Sequence, residues 1–134
     1  MKAATGPSGA HNILGDSPLL PGKVYNWKVR IQGPSGSGAA VGVIDRSMFV
    51  ADRYVDSKAH CIRHTGTTYG CLSKGSDGWK NNEVLEITVN MITNLMTIKS
   101  TTHSLNTSGN LPSGSNYYPF FYGCQSGHQF ELIE

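Results

Sequence analysis

The chain has 134 residues, of which 38% are hydrophobic, and this length suits one ordinary domain with a single core better than two. Its 11 Lys and Arg and 9 Asp and Glu give a formal net charge of +2 and are scattered along the chain, so we expect no nucleic-acid partner. No stretch approaches the roughly 20 apolar residues that span a bilayer, and the first residues lack the apolar core of a secretion signal. We therefore expect neither membrane contact nor export.

Three cysteines, Cys61, Cys71 and Cys124, are an odd number in a chain that is large enough to be stabilised by burial alone. This usage is typical of a reducing compartment, so we expect a cytoplasmic protein. A disulfide between Cys61 and Cys71 across a hairpin remains the alternative for an exported protein.

Residues 1–10 are predicted to be a flexible N-terminal segment, and residues 11–134 a single domain. The first clear element is a strand over residues 24–31, where alternate residues are apolar and the others polar. Trp27 lies on the apolar face of this strand, so we expect it in the core.

A glycine-rich run, GPSGSG at residues 33–38, follows this strand and precedes the apolar strip AAVGVI at residues 39–44. A phosphate-binding loop needs a helix directly after its glycines, and it usually carries a Lys. Here the following strip is short, rich in valine and isoleucine and interrupted only by Gly42, which is typical of a strand buried on both faces. We interpret the run as a hairpin connection and expect no nucleotide or other cofactor.

The rest of the chain also reads as strands. A second hairpin is predicted from the alternation at residues 85–91 and its resumption at residues 95–99, and a last strand from residues 130–133. Weaker patterns indicate strands at residues 49–55, 59–63, 68–72 and 117–122, and Pro119 places the last of these at an edge or a bulge. No window shows a convincing helical period, so we predict an all-β antiparallel sandwich or barrel.

The order of these motifs resembles the SPRY family, the β-sandwich that also forms the C-terminal half of B30.2 domains. The resemblance rests on GKVYNWKV at residues 22–29, Gly42 with Val43, NMITNLMTI at residues 90–98, and Tyr118 with Pro119. The chain departs from the family pattern by the extra Asn26, by Lys28 in place of Glu and by Asn90 in place of Asp. The N-terminal PRY extension of B30.2 proteins has no counterpart here.

The resemblance implies two stacked antiparallel sheets with concanavalin-like jelly-roll architecture. It also implies a non-catalytic module that recognises a partner protein or a short peptide through its loops. Such domains commonly sit beside other modules, including those of ubiquitin ligases and signalling proteins, so the chain is expected to be a stand-alone adaptor or a piece of a longer protein. The alternative is a carbohydrate-binding sandwich, in which Trp79 and the aromatic residues 117–122 stack on sugar rings.

Four residues are candidates for partner binding. Trp79 lies in a polar connector where no strand period demands burial, although large aromatic side chains in loops also act as lids over a sheet edge. If it is a surface anchor, its removal leaves the melting temperature nearly unchanged. Asp45 and Arg46 directly follow a strand and offer a charge pair, whose alternative is simple solvation. Tyr54 offers a stacking face beside charged neighbours.

His60, Cys61, His64 and Cys71 form the one cluster of metal-type ligands in the sequence. If residues 59–64 form a strand, His60 and His64 share one face and Cys61 points to the other, so a single ion does not reach all three. The closely spaced CxxC pairs of structural zinc sites are absent, and we expect no metal.

Cys124 lies near His128 in the sequence, and a cysteine nucleophile needs a base such as histidine within reach. A connector between strands holds such a pair only loosely, and the sequence has no G-x-S-x-G elbow. We therefore expect no catalytic residues and no enzymatic activity.

Overall fold

A computed structural model of the chain describes residues 4–5, 11–32, 39–49, 58–74, 77–80, 82–102, 104–123 and 129–133. These residues form strands and one 3-10 helix, and the described ranges contain no α-helix. The strands are β1 (Ala4–Thr5), β2 (His11–Leu14), β3 (Val24–Gln32), β4 (Ala40–Asp45), β5 (His60–Arg63), β6 (Thr68–Tyr69), β7 (Val84–Asn90), β8 (Leu95–Ser100), β9 (Asn106–Asn110), β10 (Tyr117–Gly123) and β11 (Gln129–Ile133). The 3-10 helix, Arg46–Met48, directly follows β4.

The strands form two antiparallel sheets. One sheet has six strands in the order β1-β11-β3-β7-β8-β9, and the other has five in the order β2-β10-β4-β5-β6. The all-β antiparallel sandwich that the sequence predicts is confirmed. In the part of the chain described, no helix is long and apolar enough to cross a bilayer.

The main apolar core lies between the two sheets, where β3 and β7 alternate as predicted. Val29 and Ile31 of β3 are buried, whereas Lys28, which points to the opposite face of the strand, is exposed. Because successive side chains of a strand point to opposite faces, one face of each strand fills the core. The five-stranded sheet and its connections contribute inward side chains to the same cluster, among them Val41, Val43, Ile62, Tyr117 and Phe121.

A second apolar cluster covers the other face of the five-stranded sheet. Ala40 and Ile44 of β4 belong to it, together with Cys61, Phe120 and Tyr122. Because β4 also contributes to the core between the sheets, it is buried on both faces. This confirms the prediction for the apolar strip at residues 39–44.

The predicted hairpin between β3 and β4 is wrong. β3 pairs with β11 and β7, whereas β4 pairs with β10 and β5 in the other sheet. The glycine-rich residues 33–38 that connect the two strands lie outside the described residues. The connection therefore joins the two sheets, and each strand finds its hydrogen-bond partners far away in the sequence.

Pro119 does not place its strand at an edge, because β10 lies between β2 and β4. The carbonyl oxygen of Pro119 accepts a hydrogen bond from the Gly15 N–H at 2.8 Å, just beyond the end of β2 at Leu14. The backbone nitrogen and carbonyl of a strand residue point to the same side. The nitrogen of Pro119, which carries no hydrogen, therefore also faces Gly15, just beyond the last pair between β2 and β10. A central strand can therefore contain this proline, because the one hydrogen bond that it cannot donate falls at the end of the ladder with β2.

Several elements differ from the predicted boundaries. β6 ends at Tyr69, earlier than predicted, and Phe49 follows the 3-10 helix and lies in no strand. The other residues of that predicted strand, 50–55, lie outside the described ranges. β9 was not predicted, and Ala4 and Thr5, which belong to the segment expected to be flexible, form β1 against β11.

We predict that Gly42→Ala destabilises the fold strongly. A Cβ atom at residue 42 would lie 2.0 Å from the carbonyl oxygen of His60 on the neighbouring strand, so β4 and β5 would have to separate. We expect a loss of about 3 kcal/mol or more in the free energy of unfolding, measured in urea. Gly114→Ala is the control, since residue 114 has open space around it. Its free energy of unfolding should fall by only about 1–2 kcal/mol, because an alanine there must adopt a positive φ. An equal loss in the two variants would contradict the close approach of β4 and β5.

Candidate functional site: the loop end of the sandwich

The strand registers bring several connections to one end of the sandwich. Val24 at the start of β3 and Leu95 at the start of β8 both lie opposite Asn90, the last residue of β7. In the other sheet, Asp45 at the end of β4 lies opposite Tyr117 at the start of β10. We call this end the loop end, and define it as residues 15–23, 46–49, 91–94 and 111–116.

Backbone hydrogen bonds tie the segments of the loop end to the sheets and to one another. These bonds run from Leu19 N–H to Tyr117 O (2.8 Å), from Gly22 N–H to Met91 O (3.3 Å), from Arg46 N–H to Asn116 O (3.0 Å) and from Leu111 N–H to Asn94 O (2.7 Å). The hydroxyl of Tyr117 also donates to the carbonyl oxygen of Pro112 at 2.7 Å. Three of the four backbone bonds join two different segments of the loop end, and the fourth joins Leu19 to β10, so the loop end has a defined shape before any partner binds.

The turn between β7 and β8 shows how one of these segments is fixed. The side-chain oxygen of Asn90 accepts hydrogen bonds from the backbone N–H of Ile92 at 2.9 Å and of Thr93 at 3.1 Å. Asn94 then takes the left-handed conformation, with a φ of 60°, that Asn tolerates better than most residues. Asn90 supplies the acceptor oxygen that an Asp would supply there, so this departure from the SPRY pattern preserves the turn.

Exposed apolar side chains concentrate at this end. In the described part of the chain, the large hydrophobic residues that are exposed are Leu20, Val24, Met48, Ile92 and Leu95. All of them lie in the loop end or at the first residue of a strand that starts there, and Ile92 is 66% exposed. We call these five residues the apolar rim. Single exposed apolar residues are ordinary, but their concentration at one end of the sandwich makes this end a candidate interaction site.

Two cavities open among the same segments. The first has a volume of about 170 Å³ and lies between residues 16–19, the start of β3 and Pro119. The second has a volume of about 420 Å³, and its lining includes Pro21, Met91, Pro112 and Tyr117. The loop end therefore combines protruding apolar side chains with recesses that could receive side chains of another molecule.

Asp45 and Arg46, two of the predicted site residues, lie at this end. The backbone N–H of Ser47 donates to Asp45 Oδ1 at 3.0 Å, and this bond, with that of the Ser47 hydroxyl, holds the pKa of Asp45 below its usual value. The guanidinium of Arg46 lies 5.7 Å from the centre of the Phe49 ring. Both charges are therefore positioned beside Met48 of the apolar rim.

Trp79 lies at the opposite end of the sandwich and is a core residue. Its backbone N–H donates to the carbonyl oxygen of His64 at 3.1 Å, just past the end of β5, and its ring meets the His64 ring edge to face. The neighbouring Gly78 allows this approach, because a Cβ there would lie 1.9 Å from the same oxygen. With only 4% of its surface exposed, Trp79 takes the buried position that the alternative interpretation gave it, so we now expect its removal to lower the melting temperature.

Two further residues of the sequence analysis are Trp27 and Tyr54. Trp27 packs against the core from the predicted face of β3, but it is only partly buried and also lines the smaller cavity. Tyr54 lies outside the described residues. The structure thus brings Asp45 and Arg46 together, places Trp79 far from them, and adds the apolar rim, which we had not predicted.

The metal-type ligands of the sequence serve as packing residues. His60 Nδ1 accepts a hydrogen bond from the Cys71 N–H at 2.9 Å, and burial lowers the pKa of His60. Cys61 is buried in the second apolar cluster, and it forms no disulfide with Cys71, whose thiol pKa is raised by burial. Within the described ranges, no three His, Cys, Asp or Glu side chains lie close enough to hold a metal ion. Cys124 and His128 lie outside those ranges.

Comparisons with known proteins identify the fold. The chain matches no protein-family model and no curated protein by sequence. The crystal structure of the SPRY domain of human HERC1 superposes with a TM-score of 0.80 over 99% of this chain and 88% of that chain, at 16% identity. The stonustoxin structure gives a TM-score of 0.59 over 91% of this chain but only 20% of that chain, at 11% identity. The chain therefore has a SPRY-like β-sandwich fold.

We predict that Trp79→Ala destabilises the domain more than Trp27→Ala. Removing the buried Trp79 leaves a cavity beside His64, with an expected loss of about 3–5 kcal/mol in the free energy of unfolding. Trp27 already meets solvent in part, so its removal is expected to cost about 1–2 kcal/mol. Urea unfolding of the two variants gives both values, and a larger loss at Trp27 would contradict this assignment.

We also predict a pH dependence of stability that arises from His60. Its pKa is lowered in the folded protein relative to about 6.5 in the unfolded chain, so below that pH the unfolded chain binds a proton that the folded protein resists. Stability from this group is fully present above pH 6.5 and falls as the pH drops toward the lower folded pKa. His60→Gln keeps a hydrogen-bond acceptor but cannot titrate, so its free energy of unfolding should fall less between pH 7.5 and pH 5.5. An identical fall in both proteins would contradict the role of His60.

Proposed function

We propose that this SPRY-like sandwich is a non-catalytic module that recognises a partner protein, or a short peptide segment of one, through the loop end. The observation that carries the proposal is the apolar rim, because the large exposed hydrophobic residues of the described chain all lie at this one end of the sandwich. Exposed apolar side chains that gather in one region beside polar groups are typical of a protein-binding site. SPRY domains in general act as interaction modules, which agrees with this reading.

The energetics of the loop end favour binding by a few anchors. Because backbone hydrogen bonds already hold the segments of the loop end in place, ordering them on partner binding costs little free energy. Ile92 is the most exposed large hydrophobic residue of the rim, and it stands on the turn that Asn90 fixes. We propose Ile92 and Met48 as apolar anchors, with Asp45 and Arg46 as polar contacts at their border.

The proposal also concerns the cellular location of the domain and the assembly to which it belongs. From the sequence resemblance, we propose that the domain works in the cytoplasm as a recognition part of a larger assembly of the ubiquitin-ligase or signalling type. The odd number of cysteines is typical of such a reducing compartment.

The carbohydrate-binding alternative loses its main support. It requires Trp79 and the aromatic run of β10 to present ring faces to sugars. Trp79 is in the core, and of the aromatic residues of β10 only Tyr118 is partly exposed, whereas Tyr117, Phe120, Phe121 and Tyr122 are buried. A sugar platform would have to use other residues, for which we find no specific sign.

We predict that Ile92→Asp abolishes most partner binding without unfolding the domain. Proteins retained by the immobilised domain from lysate would be identified, and the affinity of each purified candidate would then be measured for the wild type and the variant. Since a charge replaces an exposed anchor, we expect affinity to fall about tenfold or more, with little change in melting temperature. Met48→Asp and Arg46→Ala should also weaken binding, the latter to a smaller extent.

The matched control is Thr65→Asp, which places the same charge on an exposed turn at the opposite end of the sandwich. This variant should bind like the wild type. Equal weakening by Thr65→Asp and Ile92→Asp, or no weakening by either, would contradict recognition through the loop end.

A further inference from the structure

The smaller cavity of the loop end has the size of a single side chain. Its volume of about 170 Å³ lies below the roughly 300–1,000 Å³ of sites for whole small molecules. It opens between the loop after β2 and the first half of β3, on the face of β3 that further along fills the core. The partly buried Trp27 thus meets both the core and this cavity.

The walls of this cavity are fixed before any ligand enters. The backbone N–H of Leu20 donates to the Tyr25 hydroxyl at 2.9 Å, which holds the loop against β3. On the other side, the loop starts at Gly15, where a Cβ atom would lie 2.9 Å from the ring carbons of Pro119. Glycine therefore lets the loop pack directly on Pro119, and the cavity has rigid ring surfaces on several sides.

The residues that line the cavity favour a positively charged occupant. Tyr25 and Trp27 supply aromatic surface, and Pro18 and Pro119 supply apolar ring carbons. Among the described residues that line the cavity, Asp16 is the one that carries a charge, and no Lys, Arg or His is present. Aromatic surface attracts cations through the negative face of the ring, and a carboxylate adds a direct charge partner. A negatively charged side chain would meet only repulsion from Asp16.

The proposed function says that a partner protein docks on the loop end; resting on that function, we infer that this cavity receives an arginine side chain of the partner. A guanidinium is planar and weakly hydrated, so it can lie on the Trp27 or Tyr25 ring while two of its N–H groups reach the Asp16 carboxylate. The ammonium of lysine is strongly hydrated and offers no such plane, so it fits the apolar walls less well. The cavity therefore contributes specificity, and the apolar rim contributes most of the affinity.

The test uses the two tryptophans as an internal pair of reporters. N-acetyl-arginine amide is titrated into ¹⁵N-labelled protein, and the indole N–H signals of Trp27 and Trp79 are followed by nuclear magnetic resonance. We expect a saturable shift of the Trp27 signal, with a dissociation constant in the millimolar range, and no shift of the buried Trp79 signal. The matched probes are N-acetyl-citrulline amide, which has nearly the shape of arginine without its charge, and N-acetyl-glutamine amide.

A substitution of Asp16 tests the contribution of its charge separately from that of the aromatic and proline side chains. Asp16 is exposed, so Asp16→Asn should leave stability unchanged and weaken the binding of the arginine probe about two- to fivefold, as expected for an exposed ion pair. Glu131→Gln is the control, because Glu131 is an exposed carboxylate that pairs with Arg30, and neither residue lines the cavity. Its affinity for the probe should equal that of the wild type.

Three results would overturn the inference: no shift of Trp27 with the arginine probe, an equal shift with the citrulline probe, or equal affinity of the wild type and Asp16→Asn. These outcomes are distinct from a failure of the proposed function. If Ile92→Asp abolishes partner binding while the arginine probe leaves Trp27 unchanged, the loop end still recognises a partner but not through this cavity. If the probe binds while Ile92→Asp has no effect on a partner, the cavity stands and the role of the apolar rim fails.

Discussion

The face-to-face packing of the two sheets is the constraint on which the rest of the structure depends. Val29 and Ile31 from one sheet and Val41 and Val43 from the other must meet in the same dry layer, and this fixes how the sheets lie on each other. Once the sheets are fixed, the strand ends are fixed as well. The connections at one end then come close enough for backbone hydrogen bonds such as that between Leu19 and Tyr117. The loop end is thus a product of the core, and its shape does not depend on the loops alone.

Period-two hydrophobicity predicted the elements whose two faces differ. β3 and β7 alternate cleanly because one face of each fills the core, and β4 was recognised because both of its faces are buried. β9 was missed because its sequence, NTSGN, contains no large apolar residue and Thr107 is its one buried side chain. As an edge strand, β9 is held mainly by backbone bonds to β8, and these leave no trace in a hydrophobic pattern. Pairing between distant strands, such as β3 with β11, is equally invisible in local sequence.

The candidate site was predictable only in part, for a similar reason. The location of Asp45 and Arg46 was predictable, because charged residues directly after a buried strand must lie at its end. The apolar rim was missed because the sequence does not distinguish Leu19, which is 5% exposed, from Leu20, which is 47% exposed. In the same way, the loop of Trp79 reads as polar, and its burial depends on the contact with His64 from a strand that ends beside it. Exposure in loops is decided by tertiary contacts, so the site becomes visible only when the sheets are assembled.

The central claim is that the loop end, and no other surface of the sandwich, meets the partner. Amide hydrogen exchange of the domain, measured alone and with a purified partner, tests this claim most directly. The account predicts slower exchange at the backbone amides of residues 19–20, 22–23, 46–49, 91–94 and 113–116 in the complex, and unchanged exchange at residues 64–67, 101–102 and 104–105 at the opposite end. Protection confined to the opposite end, or to the outer face of the six-stranded sheet, would contradict it.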